Sequence, residues 1–233
     1  MSTIEQNLQA VHQGIVAAIQ EAGRPAGDVA LLAVSKTFGA DAVLAAAQAG
    51  QRAFGENYLQ EALDKIAAVA ALLPRAGLEW HFIGPIQSNK TRPIAEHFDW
   101  VHTVEREKIA QRLSEQRPAG LAPLNICLQV NISGETSKSG VAPQQLRALA
   151  LQVAALPHLR LRGLMAIPEP AVEFERQRAA FAQLRALYEQ LRGDGLALDT
   201  LSMGMSADMR AAVVEGATIV RVGSAIFGSR NYS

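Results

Sequence analysis

The sequence predicts a (β/α)8 barrel preceded by one extra N-terminal helix. Three observations carry this expectation. Eight short apolar runs of about strand length recur along the chain. Helix-patterned segments lie between them, and strands alternating with helices pair in parallel through βα units. Eight such units close a barrel at roughly 250 residues, and the chain has 233. The alternative is an open doubly wound sheet. That fold usually shows a glycine-rich turn after its first strand; the turn here, SKTFG, lacks the repeated glycines.

The elements follow in order. STIE at 2–5 is a capping box, in which Ser2 accepts from a first-turn N–H and Glu5 reaches back. Ile4, Leu8, Val11, Ile15 and Ile19 then recur at helical spacing. The eight strand-like runs are ALLAVSK (30–36), RAFGEN (52–57), LEWHFIG (78–84), FDWVHTV (98–104), NICLQVNI (125–132), LRLRGLMAI (159–167), LDTLSMGMS (198–206) and TIVRVGSAIFG (218–228). They are rich in branched and aromatic residues. Helices are expected over 41–50, ending at Gly50, and over 57–73, stopping before Pro74. A third, over 143–156, opens with Pro143 and puts Leu146, Leu149 and Val153 on one side. A fourth, over 170–192, carries Phe174, Phe181, Leu184, Tyr188 and Leu191 on one face and ends at GDG. The chain stops soon after the eighth run, so the N-terminal helix is expected to cover the place of an eighth outer helix. No linker or charge block divides the chain, and residues 1–233 read as one domain.

Composition excludes several function classes. Lys plus Arg and Asp plus Glu are 22 each, so no net field steers the chain to nucleic acid or an anionic membrane. Cys127, the only cysteine, sits in an apolar run and reads as a small buried residue. The five histidines are scattered, with no metal-ligand spacing. Glu5, Gln6 and Gln9 stand where a signal peptide needs an apolar core, and nothing approaches a transmembrane span. A soluble cytoplasmic protein is expected. With no clear exposed apolar stripe, it is expected to be a monomer.

In such a barrel the chemistry lies at the C-terminal strand ends. Lys36 ends the first run, where a buried strand has no use for an ammonium group. It is either a strand end surfacing into water or a reactive amine at a pocket rim. The seventh and eighth runs end in glycine and serine. SMGMSADM offers Gly204 for close backbone approach and Ser206 as an N-cap hydroxyl; VRVGSAIFG offers Gly223 and Ser224. Loops after these strands often bind phosphate, so the pair reads either as an anion cradle or as two ordinary tight turns. Arg221 shares a face with Gly223 by period-two alternation. It must meet an acceptor there, either a core carboxylate or a ligand. An amine, a phosphate cradle and an arginine between them suit pyridoxal 5′-phosphate, whose aldehyde forms a Schiff base with lysine. The guanidinium would donate to the pyridine nitrogen and disfavour its protonation, leaving a weak electron sink.

Seven motifs give these residues a likeness. AVSKT (33–37), FGENYLQE (54–61), WHFIGPIQSNK (80–90), VNISGETSKSG (130–140), GLMAIP (163–168), LSMGMSADM (201–209) and VRVGSAIFG (220–228) run in order across nearly the whole chain. Together they resemble the pyridoxal phosphate homeostasis protein family, of the YggS/PROSC type. The resemblance implies a barrel similar to the N-terminal domain of bacterial alanine racemase, with Lys36 as the lysine linked to the cofactor. It implies that Ser206, Gly223 and Ser224 hold the phosphate and Arg221 faces the pyridine nitrogen. Asn57, His81 and Met165 would lie around the cofactor. Lys138 is either a second anion contact or a solvated loop lysine. Phe38 stands where a second lysine is common in the family.

Three functions compete. One is a carrier or buffer of pyridoxal phosphate without turnover, with no catalytic residue and no metal, serving cofactor-dependent apo-enzymes as recipients. The second is a racemase-like enzyme using the same cofactor. The third is a cofactor-free Schiff-base lyase, which the cradle and Arg221 disfavour. A two-base racemase needs an acid/base on each face of the cofactor adduct, and alanine racemases draw the second, a tyrosine, from an additional domain. Of Tyr58, Tyr188 and Tyr232, only Tyr58 is expected near the mouth. An open site excludes water poorly and suits loading and release. The carrier reading is therefore the expectation.

Overall fold

A computed structural model describes residues 2–74, 77–134 and 139–228. Eight strands form a closed, all-parallel barrel in sequence order. They are β1 (Ala30–Val34), β2 (Ala53–Glu56), β3 (Glu79–Phe82), β4 (Trp100–Val104), β5 (Leu124–Gln129), β6 (Leu159–Met165), β7 (Thr200–Ser202) and β8 (Ile219–Val222). Closure is made by β1 against β8, where Leu32 pairs with Arg221 and Ala33 with Val222. The open-sheet alternative is thereby excluded.

The opening helix α1 (Thr3–Glu21) forms as its cap predicts: Glu5 N donates to Ser2 Oγ at 3.2 Å, and Ser2 N to Glu5 Oε2 at 3.3 Å. Its buried stripe is Leu8, Val11, Ile15, Ala18 and Ile19. The outer helices follow as α2 (Ala40–Gln48), α3 (Leu59–Leu72), α4 (Thr91–His97), α5 (Glu107–Gln116), α6 (Pro143–Ala154), α7 (Phe174–Gly193) and α8 (Met209–Val214). After β8 the described residues hold the four-residue α9 (Ser224–Phe227) and no longer helix. The α1 helix packs against α8, α9 and α2 and so takes the eighth outer position. Asn7 Nδ2 secures it by donating to Ile226 O at 2.8 Å.

Two kinds of boundary moved. The seventh and eighth runs are shorter as strands than their apolar length suggests. After Ser202 the chain turns through Gly204 at φ 94°, and after Val222 it turns at Gly223 into α9. Helices α4, α5 and α8 were not among the helices read from the sequence. The first contains Pro93, the second is mostly polar, and the third has six residues. Barrel packing stabilises the short α4 and α8, whereas α5 does carry an amphipathic stripe of Ile109, Ala110 and Leu113.

Two hydrophobic layers result. The larger lies between strands and helices and includes Phe54, Phe82, Phe98 and Phe181. A smaller one fills the barrel interior with Leu32, Trp100, Cys127, Met165 and Ile219. Residues two further along these strands point to the same interior at the mouth, which is how Arg221 comes to lie above Ile219. Among the described residues, no helix is long and apolar enough to cross a membrane.

Candidate functional site at the barrel mouth

A cavity of about 370 Å³ opens at the C-terminal ends of β7, β8, β1 and β2. Its lining includes Lys36, Asn57, Ser206, Arg221, Gly223 and Ser224. Six of the eight residues expected around a ligand therefore share one hollow, within the 300–1,000 Å³ that small-molecule sites span. The apolar walls are Val34, Phe38, Ile83, Ile167 and Met205. Sequence reading assigned none of these walls to the site. Phe38, in the position where a lysine is common in the resembled family, packs on Phe227 with ring centroids 5.3 Å apart.

Arg221, near the C-terminal end of β8, is buried. Its Nη1 donates to Ser202 Oγ at 2.8 Å and its Nη2 to Ala166 O at 3.0 Å. The expected alternative of a core carboxylate is not what holds it. Burial pulls its pKa down to about 10, with Asp208 the main opposing charge, so it remains cationic at neutral pH. Gly223 sits where a Cβ would press to 3.0 Å from Val34 O, and this close fit keeps the floor open beside Lys36. Ser224 and Ala225 open α9, so their N–H groups have no partner within that helix. On the opposite wall Asn57 Oδ1 is buried without a hydrogen-bond partner among the described residues.

Two details of the β7 turn differ from expectation. The residue at the N-cap of α8 is Asp208, not Ser206, and its Oδ1 accepts from Met205 N at 2.6 Å. Ser206 is an exposed turn residue on the cavity wall. Gly204 does not line the cavity. Its positive φ and the close approach of Ala212, 2.5 Å from a Cβ placed there, give it a packing role under α8.

A second cavity of about 620 Å³ adjoins the first on the β2–β5 side and shares Asn57, Ile83 and Ile167 with it. It contains Tyr58, Lys90 and Arg106 but none of the amine, arginine and glycine–serine group. Six of the residues singled out in the sequence therefore gather in the smaller cavity.

Known proteins share this fold. Residues 6–231 match the model of the alanine racemase N-terminal domain. A pyridoxal phosphate homeostasis protein of Pseudomonas aeruginosa is 65% identical over 100% of this chain and 98% of its own length. The protein of that name in Escherichia coli K12 is 54% identical over 100% and 99%. The chain belongs to the pyridoxal phosphate homeostasis protein family. Among solved structures, PipY of Synechococcus elongatus, described with PLP bound, superposes with a TM-score of 0.84 at 39% identity, covering 97% of this chain and 100% of that one. Alanine racemase from Corynebacterium glutamicum, at 21% identity, 62% of its length and a TM-score of 0.68, shares the fold.

In this family member two expected site residues lie elsewhere. Met165 is fully buried among Leu32, Trp100, Cys127 and Ile219 inside the barrel. His81 is buried beside a cavity of about 240 Å³ at the opposite, N-terminal end. Its Nε2 meets Glu79 Oε1 at 2.8 Å, and its Nδ1 meets His102 Nε2 at 2.8 Å. His102 Nδ1 in turn meets Ser202 Oγ at 2.8 Å. With both rings neutral, one set of donors satisfies every link. Glu79, whose pKa the His81 hydrogen bond lowers, can only accept. His81 Nε2–H donates to it, His102 Nε2–H donates to His81 Nδ1, and Ser202 O–H donates to His102 Nδ1. Arg221 donates to Ser202. Burial lowers both histidine pKa values, His102 most, so both rings are neutral. His81 thus supports Arg221 from below, through two intermediates. His102 was not read as part of the site; its inward-facing position on β4 was the available signal. Lys138 lies outside the described residues.

Proposed function

We propose that this chain binds pyridoxal 5′-phosphate as a Schiff base on Lys36 and acts in its intracellular homeostasis as a carrier and buffer, without turnover. The observation that carries this reading is the single cavity uniting Lys36, Arg221, Gly223 and Ser224. The names of the full-length relatives and the PLP bound to PipY support it.

The residues present fit the cofactor. Bound there, pyridoxal phosphate would supply an aldehyde able to condense with a primary amine with loss of water. Lys36 provides that amine from the end of β1. Gly223, Ser224 and Ser206 provide amides and hydroxyls for a phosphate at the β7–β8 side of the cavity. Arg221, fixed by Ser202 and Ala166 O, offers remaining N–H groups toward a ring nitrogen. The buried, unpartnered Asn57 Oδ1 would accept from a polar group of the ligand.

What surrounds the amine supports the reading without turnover. Tyr58 is half exposed and lines the adjoining cavity, not the one that contains Lys36. It is poorly placed as a second acid/base, which favours the carrier over the racemase-like reading. The whole chain is proposed as one cofactor-binding domain, monomeric and cytoplasmic, with cofactor-requiring apo-enzymes as recipients.

The deciding experiment is an absorption titration with pyridoxal phosphate, wild type beside Lys36→Ala, followed by borohydride reduction and peptide mapping. A Schiff-base band in wild type alone, with the reduced adduct on Lys36, is expected. Its absence would return Lys36 to a surface lysine. Amino-acid turnover at enzyme-like rates, abolished in Lys36→Ala, would replace the carrier reading with the racemase-like one.

A further inference from the structure

We infer that Glu61 and Lys65, one turn apart on α3, are positioning residues that aim the Lys36 side chain into the cavity. This inference deepens the reading above and rests on it.

The two peptide groups that flank the Lys36 Cα are each held by one member of this pair. Ser35 O, in the peptide that enters Lys36, accepts from Lys65 Nζ at 2.8 Å. Thr37 N, in the peptide that leaves Lys36, donates to Glu61 Oε1 at 2.6 Å. Glu61 and Lys65 are themselves joined at 3.0 Å. With both peptide planes fixed, the Cα–Cβ direction of Lys36 is fixed, since that bond depends on the two dihedrals between them.

The rest of the cluster anchors the grip. Lys65 is buried, and its third proton goes to Glu56 Oε1 at 2.6 Å, which uses all three donors of the ammonium. The same Glu56 oxygen accepts from Ser35 Oγ at 2.6 Å. Glu56 ends β2 and precedes Asn57, so the cluster ties together the two strand ends that supply an amine and an amide to one cavity.

Two features mark more than general cohesion. Thr37 is held at φ 70°, a left-handed conformation that a β-branched residue rarely adopts. The charge-assisted bond to Glu61 acts on that residue directly. Glu56 Oε2 is also left buried without a partner among the described residues. A network selected for stability alone would satisfy it. In the sequence, Lys65 was visible as a charge on the buried Ala62–Val69 stripe of α3.

The test compares Glu61→Ala with Glu61→Gln. The side chain is 34% exposed and Lys65 keeps Ser35 O and Glu56 as acceptors without it, so both variants are expected to keep a folded barrel. Glutamine retains an acceptor for Thr37 N–H; alanine does not. Two readouts are taken beside the thermal midpoint. One is the yield of borohydride-trapped pyridoxal phosphate on Lys36. The other is the rate at which Lys36 of the cofactor-free protein is labelled by acetic anhydride, read by peptide mass mapping. Glu61→Ala is expected to lower trapping roughly tenfold, the scale of a misplaced reacting group, and to change the Lys36 labelling rate. Glu61→Gln should stay close to wild type in both. Wild-type trapping and labelling in Glu61→Ala would overturn the positioning role. So would equal losses in both variants that merely follow a lowered midpoint. If wild type itself forms no adduct, the Schiff-base reading falls, and the labelling comparison still decides the positioning.

Discussion

Arg221 donates through Nη1 to Ser202 Oγ at 2.8 Å, and Ser202 in turn meets His102 Nδ1 at 2.8 Å. A buried guanidinium at the cavity floor is thus oriented by a hydroxyl, not by a carboxylate that would neutralise it. Its charge is kept for whatever occupies the cavity.

Replacing Ser202 by alanine removes the hydroxyl and leaves a buried Arg221 donor and a buried His102 acceptor unpaired. The expected cost is about 1–3 kcal/mol of stability, read by urea denaturation, with weaker pyridoxal phosphate binding. Ser202→Thr retains the hydroxyl and should lose less. Equal stability of Ser202→Ala and wild type would show that the link is not a working hydrogen bond.

Gly84 follows β3, and a Cβ there would collide with the backbone carbonyl of Asn57. Gly84→Ala must displace Asn57 from the wall shared by the two cavities. The expected result is weaker pyridoxal phosphate affinity with the reduced adduct still on Lys36. Unchanged affinity would remove Asn57 from the site.

The buried His81–His102 pair predicts acid sensitivity. Both folded pKa values are lowered, chiefly by burial. The unfolded rings take up protons below about pH 6.5 while the folded ones do not. The stability they contribute is present above that pH and is lost as the pH falls below it, by up to about 1.4 kcal/mol per pH unit for each ring. Glu56, raised by burial, works in the opposite sense at lower pH. Denaturant curves from pH 7.5 to 5.5 should show the decline, and His102→Gln should flatten it. A pH-independent midpoint would contradict neutral buried rings.

Cys127 is fully buried in the barrel interior, and burial pushes its thiol up to about 12. It should resist iodoacetamide in the native state. Labelling should track global unfolding along a urea series. Fast native labelling would mean that the barrel interior opens locally.

Much of the fold was legible because its signals are local. The capping box of α1, the eight branched runs and the stripe of α7 each depend on residues close in sequence. Arg221 and Gly223 share a face because backbone alternation requires it. Legibility failed where depth or partner was at stake. His81 and Met165 lie on site-bearing strands, yet one reaches the N-terminal cavity and the other the interior core. Gly204 looked like a ligand contact and turned out to make room for Ala212.

The sequence by itself determined the strand count, the parallel barrel, the lysine at the end of β1 and the inward arginine of β8. These follow from periodicities that the backbone imposes over a few residues. Only the tertiary structure decided that Lys36 meets Arg221, Gly223 and Ser224 in one cavity, because that requires β1 to pair with β8 across almost 190 residues. It alone decided that Glu61 and Lys65 grip the peptides on either side of Lys36. The physical reason is that a side chain's height along the barrel axis and its neighbour across the closure are set by strand register and tilt. Those are properties of non-local pairing, which no local pattern encodes.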